Sequence, residues 1–221
     1  EIEDPTQRPA FISWWDYGFY TVALGGHPTV ADNFQDGIPV AANFHTSTSE
    51  KEAVSVWIIR LLEGSEIKYG KVTDEVADVL TKYLGEANSE TVVGWLEDYT
   101  SAPSYGAPIG AEYDEETSKQ YTVGQQYSIN AVYHDIVELL DENLNEDEIT
   151  WLYHDLQDVT GWSIRYYGVE GYDRQIFNIF AFLSDKSLLM INGIEDDFIE
   201  LLYNGYELDS EGNKIPGSDN E

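Results

Sequence analysis

Trp14-Trp15-Asp16-Tyr17-Gly18 is the stretch of this sequence that says most about structure and function. Two adjacent tryptophan rings face opposite sides of a strand, or lie about 100° apart on a helix. We therefore expect one ring in the core and the other, with Asp16, near a surface. There the ring offers an apolar wall and the carboxylate a hydrogen-bond acceptor for a small polar group. The alternative is a buried aromatic pair, with Asp16 capping a helix over residues 17–24.

The composition describes an acidic globular protein. The chain has 221 residues, 42% of them hydrophobic and 14% aromatic, which is enough for one domain with a substantial core. The 42 acidic residues against 11 basic ones give a net charge of -31, which argues against nucleic acid and anionic membrane surfaces as partners. Two explanations of this charge stay open: adaptation to a salty medium, or an outward-facing domain kept soluble by its acidic surface.

Metal and membrane signals are weak in the sequence. There are no cysteines, and the four histidines are scattered, so neither a disulfide framework nor a zinc site is expected. No apolar run reaches the roughly 18 to 20 residues of a membrane span. Acidic clusters such as Asp141-Glu142, Glu146-Asp147-Glu148 and Glu195-Asp196-Asp197 are interpreted as helix-end or solubility features.

Apolar spacing and turn residues predict a mixed α/β fold that is helix-rich, a single compact globular domain with short strands, outside the membrane. Strands are predicted at 10–14, 162–169, 188–191 and 198–206. Helices are predicted at 17–24, at 50–62 before a stop at Gly64, at 74–84 after Thr73, from a cap at Ser89, at 128–143, at 145–158 and, as one buried helix, at 172–183. The helices at 128–143 and 145–158 are expected to form an antiparallel pair. Residues 100–118 are expected to be a loop.

The opening motif also carries a family resemblance. Ser13-Trp14-Trp15-Asp16-Tyr17-Gly18 is similar to the signature of the catalytic subunit of oligosaccharyltransferases, the enzymes of asparagine-linked glycosylation. The similarity continues in residues 27–33, which resemble the family's short strand and loop after the first helix. Residues 42–44 and 47–62 resemble the next loop and helix. Residues 160–167 resemble a stretch of archaeal members.

The resemblance implies a place for this chain in a larger protein. The family's catalytic subunit spans the membrane many times and carries a soluble C-terminal domain after its last span. Residues 1–12 would be the stalk after the last transmembrane helix, 13–207 the core globular domain and 208–221 a polar tail, on the external face of the cell membrane. A divalent cation (Mn or Mg) and the lipid-linked oligosaccharide would be held by the membrane part, so no catalytic or metal-binding residue is expected here.

The resemblance also implies a role in acceptor recognition. The site for the Ser/Thr of an Asn-X-Ser/Thr acceptor would be formed by Trp14, Trp15, Asp16, Tyr17 and Gly18. Asp16 would accept the hydroxyl proton while an indole N–H of Trp14 or Trp15 donates to the oxygen. The isolated domain would then recognise the acceptor without catalysing transfer.

A second family motif, which contacts the threonine methyl from a kinked helix, is absent in its known forms. The nearest variant places Asp173 at a helix start, Ile176 as the methyl contact and Phe180 beyond it. Ile176 as an ordinary core residue is the alternative. Asp196-Asp197-Phe198-Ile199 has the same spacing in a predicted strand.

Two other functions remain as alternatives. One is a non-catalytic peptide-binding module of another surface protein. The other is a secreted, salt-adapted hydrolase, since 42 acidic residues guarantee some close carboxylate pairs.

Overall fold

Helices account for most of the structure. A computed structural model describes residues 2–109, 124–125 and 127–186. The α-helices are α1 Gly18–Tyr20, α2 Ile38–His45, α3 Glu50–Tyr69, α4 Asp74–Leu84, α5 Glu86–Glu97, α6 Asn130–Asn143, α7 Glu146–Thr160, α8 Gly171–Gln175 and α9 Phe177–Leu183; the strands are β1 Ala10–Ile12, β2 Pro108–Ile109, β3 Gly124–Gln125 and β4 Ile164–Tyr167. The mixed, helix-rich fold class is confirmed.

Helix α3 is the centre of the core. It packs against α2, α6 and α7, while α4 packs on α5 and α7. Ile58, Ile59 and Leu62 of α3 are fully buried, and burial of such side chains is the main stabilising term of the fold. The helices expected at 128–143 and 145–158 exist as α6 and α7, but they do not pack as a pair because each uses its apolar face on α3.

The strands predicted at 10–14 and 162–169 lie side by side. β1 and β4 pair in parallel, with Ala10 opposite Ile164 and Phe11 opposite Tyr166. The hydroxyl of Tyr153 lies on the outer side of β4, where it donates to the Ile164 carbonyl at 2.5 Å and accepts from the Ile164 N–H at 2.8 Å. β2 and β3 form a separate antiparallel pair, in or beside the stretch expected to be a loop.

Two helix boundaries differ from the sequence prediction. α3 does not stop at Gly64 but runs to Tyr69, ending at Gly70 in the left-handed conformation (φ 74°). Gly64 instead makes room for Trp162, whose ring lies 3.0 Å from the place of a Cβ. α5 begins at Glu86, so Ser89 lies within the helix and is not its N-cap. The Ser89 hydroxyl donates instead to the Ala77 carbonyl of α4.

The predicted helix at 172–183 is wrong in two respects. It is divided at Ile176 (φ -109°, ψ 17°) into α8 and α9. It is also not buried throughout, since Tyr172, Ile179 and Phe182 are exposed.

Helix α2 lies where the resemblance implied a loop at residues 42–44, so that expectation is wrong. Pro39 lies in its first turn, where a missing N–H costs nothing. Its buried Asn43 donates to the Asn130 side chain at 2.8 Å and ties α2 to α6.

No helix within the described residues is long and apolar enough to cross a membrane. The predicted strands at 188–191 and 198–206, the 195–197 acidic cluster, the 196–199 variant and the tail lie outside the described residues. The boundaries at residues 12 and 207 stay predictions.

Candidate functional site

The Trp14–Gly18 motif opens an irregular helical segment. A 3-10 turn at Trp15–Tyr17 leads into α1, and a π-helical turn at Thr21–Gly25 follows. The segment ends at Gly26 in the left-handed conformation (φ 65°), as expected of a glycine after a helix. The helix predicted at 17–24 is therefore present in composite form.

The two tryptophans have different environments. Trp14 is only 4% exposed and packs in a small apolar cluster with Ala31, Ala41 and Phe180. Trp15 is half-buried at the edge of this cluster, with the two ring centroids 6.0 Å apart. This confirms the expectation of one core ring and one ring near the surface.

Asp16 is half-buried, and none of the described residues donates a hydrogen bond to its carboxylate. Asp16 caps neither the 3-10 turn, which has Trp14 at its cap position, nor α1, which has Tyr17 there. The alternative of a buried aromatic pair capped by Asp16 is therefore wrong. The Trp15 indole N–H likewise has no acceptor in the described part of the chain.

Gly18 is required by a close backbone approach. A Cβ at this position would lie 2.4 Å from the Ala31 carbonyl oxygen and 2.6 Å from the Asp32 Cα. Since neither atom belongs to a flexible side chain, a larger residue would push the two segments apart. Because Gly18 has no side chain, the start of the helix can lie directly against the backbone of residues 31–32.

Asn33 adds a polar connection at the same place. Its Nδ2 donates to the Asp16 carbonyl at 3.2 Å, and its Oδ1 accepts from the Phe19 N–H at 3.0 Å. Asn33 lies in the stretch 27–33 that resembles the family, but its role has no local sequence signal, because its bonds join distant parts of the chain.

The second-motif candidates lie beside the tryptophans. Phe180 packs on Trp14, and Ile176 borders the same cluster at the break between α8 and α9. Asp173 is 2% exposed; its Oδ2 accepts from the Glu170 N–H at 2.7 Å, and its Oδ1 has no hydrogen-bond partner. The structure thus brings all three candidates to the Trp14–Gly18 motif, with Asp173 in the first turn of α8 rather than at its start.

Several carboxylates surround Tyr17. Burial first, then the charges of Asp173, Glu170 and Asp16, raise the pKa of the Tyr17 hydroxyl. An ordinary tyrosine hydroxyl is protonated at neutral pH, and the raised pKa keeps this one a donor at higher pH as well.

His45 lies behind the cluster, stacked on Phe180 with ring centroids 4.7 Å apart. Its burial lowers the pKa of the imidazole, although the nearby Asp173 opposes this, and its Nε2 has no hydrogen-bond partner. Sequence reasoning had set His45 aside as one of four scattered histidines.

Within the described ranges, no three His, Asp or Glu side chains come together in an arrangement that would hold a metal ion.

Comparison with known proteins gives two partial matches. Over 75 residues the chain is 33% identical to dolichyl-phosphooligosaccharide-protein glycotransferase 1 of Archaeoglobus fulgidus, covering 33% of this chain and 12% of that protein. Part of this chain is therefore similar to archaeal oligosaccharyltransferases. Glycotransferase 2 of the same organism is 34% identical over 67 residues, or 30% of this chain and 10% of that protein. The matched part spans about a tenth of each of these oligosaccharyltransferases.

The other comparisons add nothing to the oligosaccharyltransferase similarity. No protein-family profile matches the chain, and no solved structure matches it.

Proposed function

We propose that this chain is the acceptor-recognition domain of an oligosaccharyltransferase that transfers a lipid-linked oligosaccharide to the asparagine of Asn-X-Ser/Thr. One observation carries the proposal: the Asp16 carboxylate and the Trp15 indole N–H belong to adjacent half-buried residues and have no hydrogen-bond partners among the described residues. The similarity to oligosaccharyltransferases of Archaeoglobus fulgidus supports the same family.

The recognition rests on two hydrogen bonds. The hydroxyl of the acceptor serine or threonine donates to Asp16, and its oxygen accepts from the indole of Trp15. Trp14, buried against Phe180, acts as the support beneath this pair. An acceptor without the hydroxyl leaves the two desolvated groups unpaired, at a cost of about 1 to 3 kcal/mol for each.

The second contact is with the methyl group of threonine. Ile176 is half-buried at the edge of the Trp14 cluster, where the break between α8 and α9 leaves its side chain beside the motif. Its branched side chain supplies an apolar surface for that methyl. Threonine would then be bound more tightly than serine by about 1 kcal/mol, the value of one buried methylene-sized group.

The transfer chemistry belongs to other parts of the full-length protein in this proposal. The lipid-linked oligosaccharide and a divalent cation, Mn or Mg, are bound outside this chain. The full-length protein is a multi-pass membrane enzyme, and this domain lies on its external face. The isolated domain has no transferase activity.

The test uses the full-length enzyme and a labelled Asn-X-Thr peptide at subsaturating concentration. Trp15→Ala and Asp16→Ala are expected to abolish glycosylation without unfolding the domain. Trp151→Ala is the matched control, since Trp151 is 56% exposed on α7, away from the motif, and should leave the rate unchanged. Near-wild-type turnover by either motif variant would disprove the site.

A second experiment uses the 221-residue chain alone. A peptide titration followed by NMR should shift the indole N–H signals of Trp14 and Trp15, and replacing threonine by alanine in the peptide should remove the shifts. Measurable transferase turnover by this chain with a lipid-linked donor and divalent cation would contradict the assignment of recognition only.

A further inference from the structure

We propose that Asn33 is a positioning residue, whose side-chain amide fixes the first turn after Trp14 and so sets the direction in which Trp15 and Asp16 meet the acceptor. This inference rests on the proposed function. Asn33 itself need not touch the acceptor, because both ends of its amide are used within the protein.

The Asn33 amide joins two points of that turn. It donates to the Asp16 carbonyl and accepts from the Phe19 N–H, with heavy-atom distances of 3.2 Å and 3.0 Å. N–H groups in the first turn of a helix lack intrahelical acceptors, and a side-chain oxygen commonly supplies one. Here the capping side chain comes from a separate loop rather than from the residue that precedes the helix.

That loop is held in place independently of Asn33. The Thr29 hydroxyl donates to the Ala31 carbonyl at 2.7 Å, and the Asp32 carboxylate accepts from the Phe34 N–H at 2.8 Å. Ala31 is buried under Trp14, and Gly18 lies directly against the Ala31–Asp32 backbone. The loop is therefore held in a fixed position. The hydrogen bond from the Asn33 amide fixes the Asp16 carbonyl relative to this loop.

Loss of this support would reduce the fraction of molecules in the binding-competent arrangement. An apparent dissociation constant rises in inverse proportion to that fraction. A side-chain cap changes such an equilibrium by about 5-fold. Because the reacting groups are elsewhere, the effect should fall on KM for the peptide and leave kcat within about 2-fold.

Two variants separate the two halves of the amide. Asn33→Ala removes both bonds, so the Phe19 amide of the 221-residue chain should exchange its hydrogen about 5-fold faster. In the full-length enzyme KM for an Asn-X-Thr peptide should rise about 5-fold. Asn33→Asp keeps the acceptor for Phe19 and loses the donor to Asp16, so Phe19 should stay protected while KM still rises. Asn88→Ala removes a half-buried asparagine whose amide donates to the Asn143 side chain and should change neither quantity.

The outcomes distinguish this inference from the proposed function. Unchanged exchange at Phe19 in Asn33→Ala would overturn the role of Asn33, as would a KM that responds to Asp16→Ala but not to Asn33→Ala. Faster exchange at Phe19 with a KM insensitive to both variants would overturn the proposed function instead. A fall in kcat equal to the rise in KM would also overturn the positioning role, because it would place Asn33 among groups that act on the reaction itself.

Discussion

The indole ring of Trp14 packs against the phenyl ring of Phe180, with ring centroids 4.6 Å apart and planes inclined at 55°. This contact joins the N-terminal motif to α9. It fixes which of the two tryptophans is buried, and it places the break at Ile176 beside the motif.

Phe180→Ala should destabilise the protein by about 3 to 5 kcal/mol, because it opens a cavity next to Trp14. The measurement is chemical denaturation followed by tryptophan fluorescence. Phe182→Ala is the matched control: Phe182 lies in the same helix but is 69% exposed, so its loss should cost less than about 0.5 kcal/mol. Equal effects of the two substitutions would contradict the packing described.

Tyr153→Phe should destabilise the protein by about 1 to 3 kcal/mol, because it leaves the buried N–H and carbonyl of Ile164 without their partner. The Tyr153 hydroxyl has its pKa raised to about 12, chiefly by burial, so it stays a donor across the accessible pH range. Denaturant melts of Tyr153→Phe and of Tyr166→Phe, an exposed tyrosine, provide the comparison. A Tyr153→Phe protein as stable as the Tyr166→Phe control would show that the hydroxyl contributes nothing.

Acidification should destabilise the protein partly through His45. Burial lowers the pKa of His45 in the folded state below its ordinary value of 6.5. As the pH falls below 6.5, His45 is protonated in the unfolded chain but stays neutral in the folded chain. The contribution of neutral His45 to stability is therefore fully present above pH 6.5 and is lost as the pH is lowered.

The measurement is the thermal midpoint at about pH 7.5 and about pH 5.5, on either side of the ordinary pKa of histidine. In His45→Leu the fall in midpoint should be smaller than in the wild type. Both proteins share His134, whose pKa burial also lowers, and Glu63, whose pKa burial raises, so the difference reports on His45. An equal fall in thermal midpoint in the wild type and in His45→Leu would mean that His45 has the same pKa in the folded and unfolded states.

Salt should stabilise the protein, because a net charge of -31 repels itself in the compact state. The screening length falls from about 30 Å at 10 mM to about 3 Å at 1 M salt. The thermal midpoint should therefore be clearly higher at about 1 M KCl than at about 10 mM. A midpoint independent of salt would show that the charges are compensated locally.

Long amphipathic helices were predicted well from the sequence, because their apolar spacing and caps are local signals. α4 has the predicted bounds, and α7 begins after Asn145, which forms a capping box with Glu148. The errors occurred where a distant contact decided the conformation. Gly64 resembles a stop, but it is retained within α3 by the ring of Trp162.

At the candidate site, too, local features were predicted from the sequence and contacts between distant residues were not. The different burial of Trp14 and Trp15 follows from their adjacency alone. The approach of Ala31 to Gly18, the bonds of Asn33 and the stacking of His45 on Phe180 depend on tertiary packing. No periodicity in the sequence encodes these contacts.

The Tyr153 hydroxyl also allows a sheet of only two strands, β1 and β4, to end inside the protein. Ile164 is 3% exposed, so water does not replace a missing partner for its backbone N–H and carbonyl. One phenol bonds to both groups. At this position a single side chain therefore takes the place of a third strand.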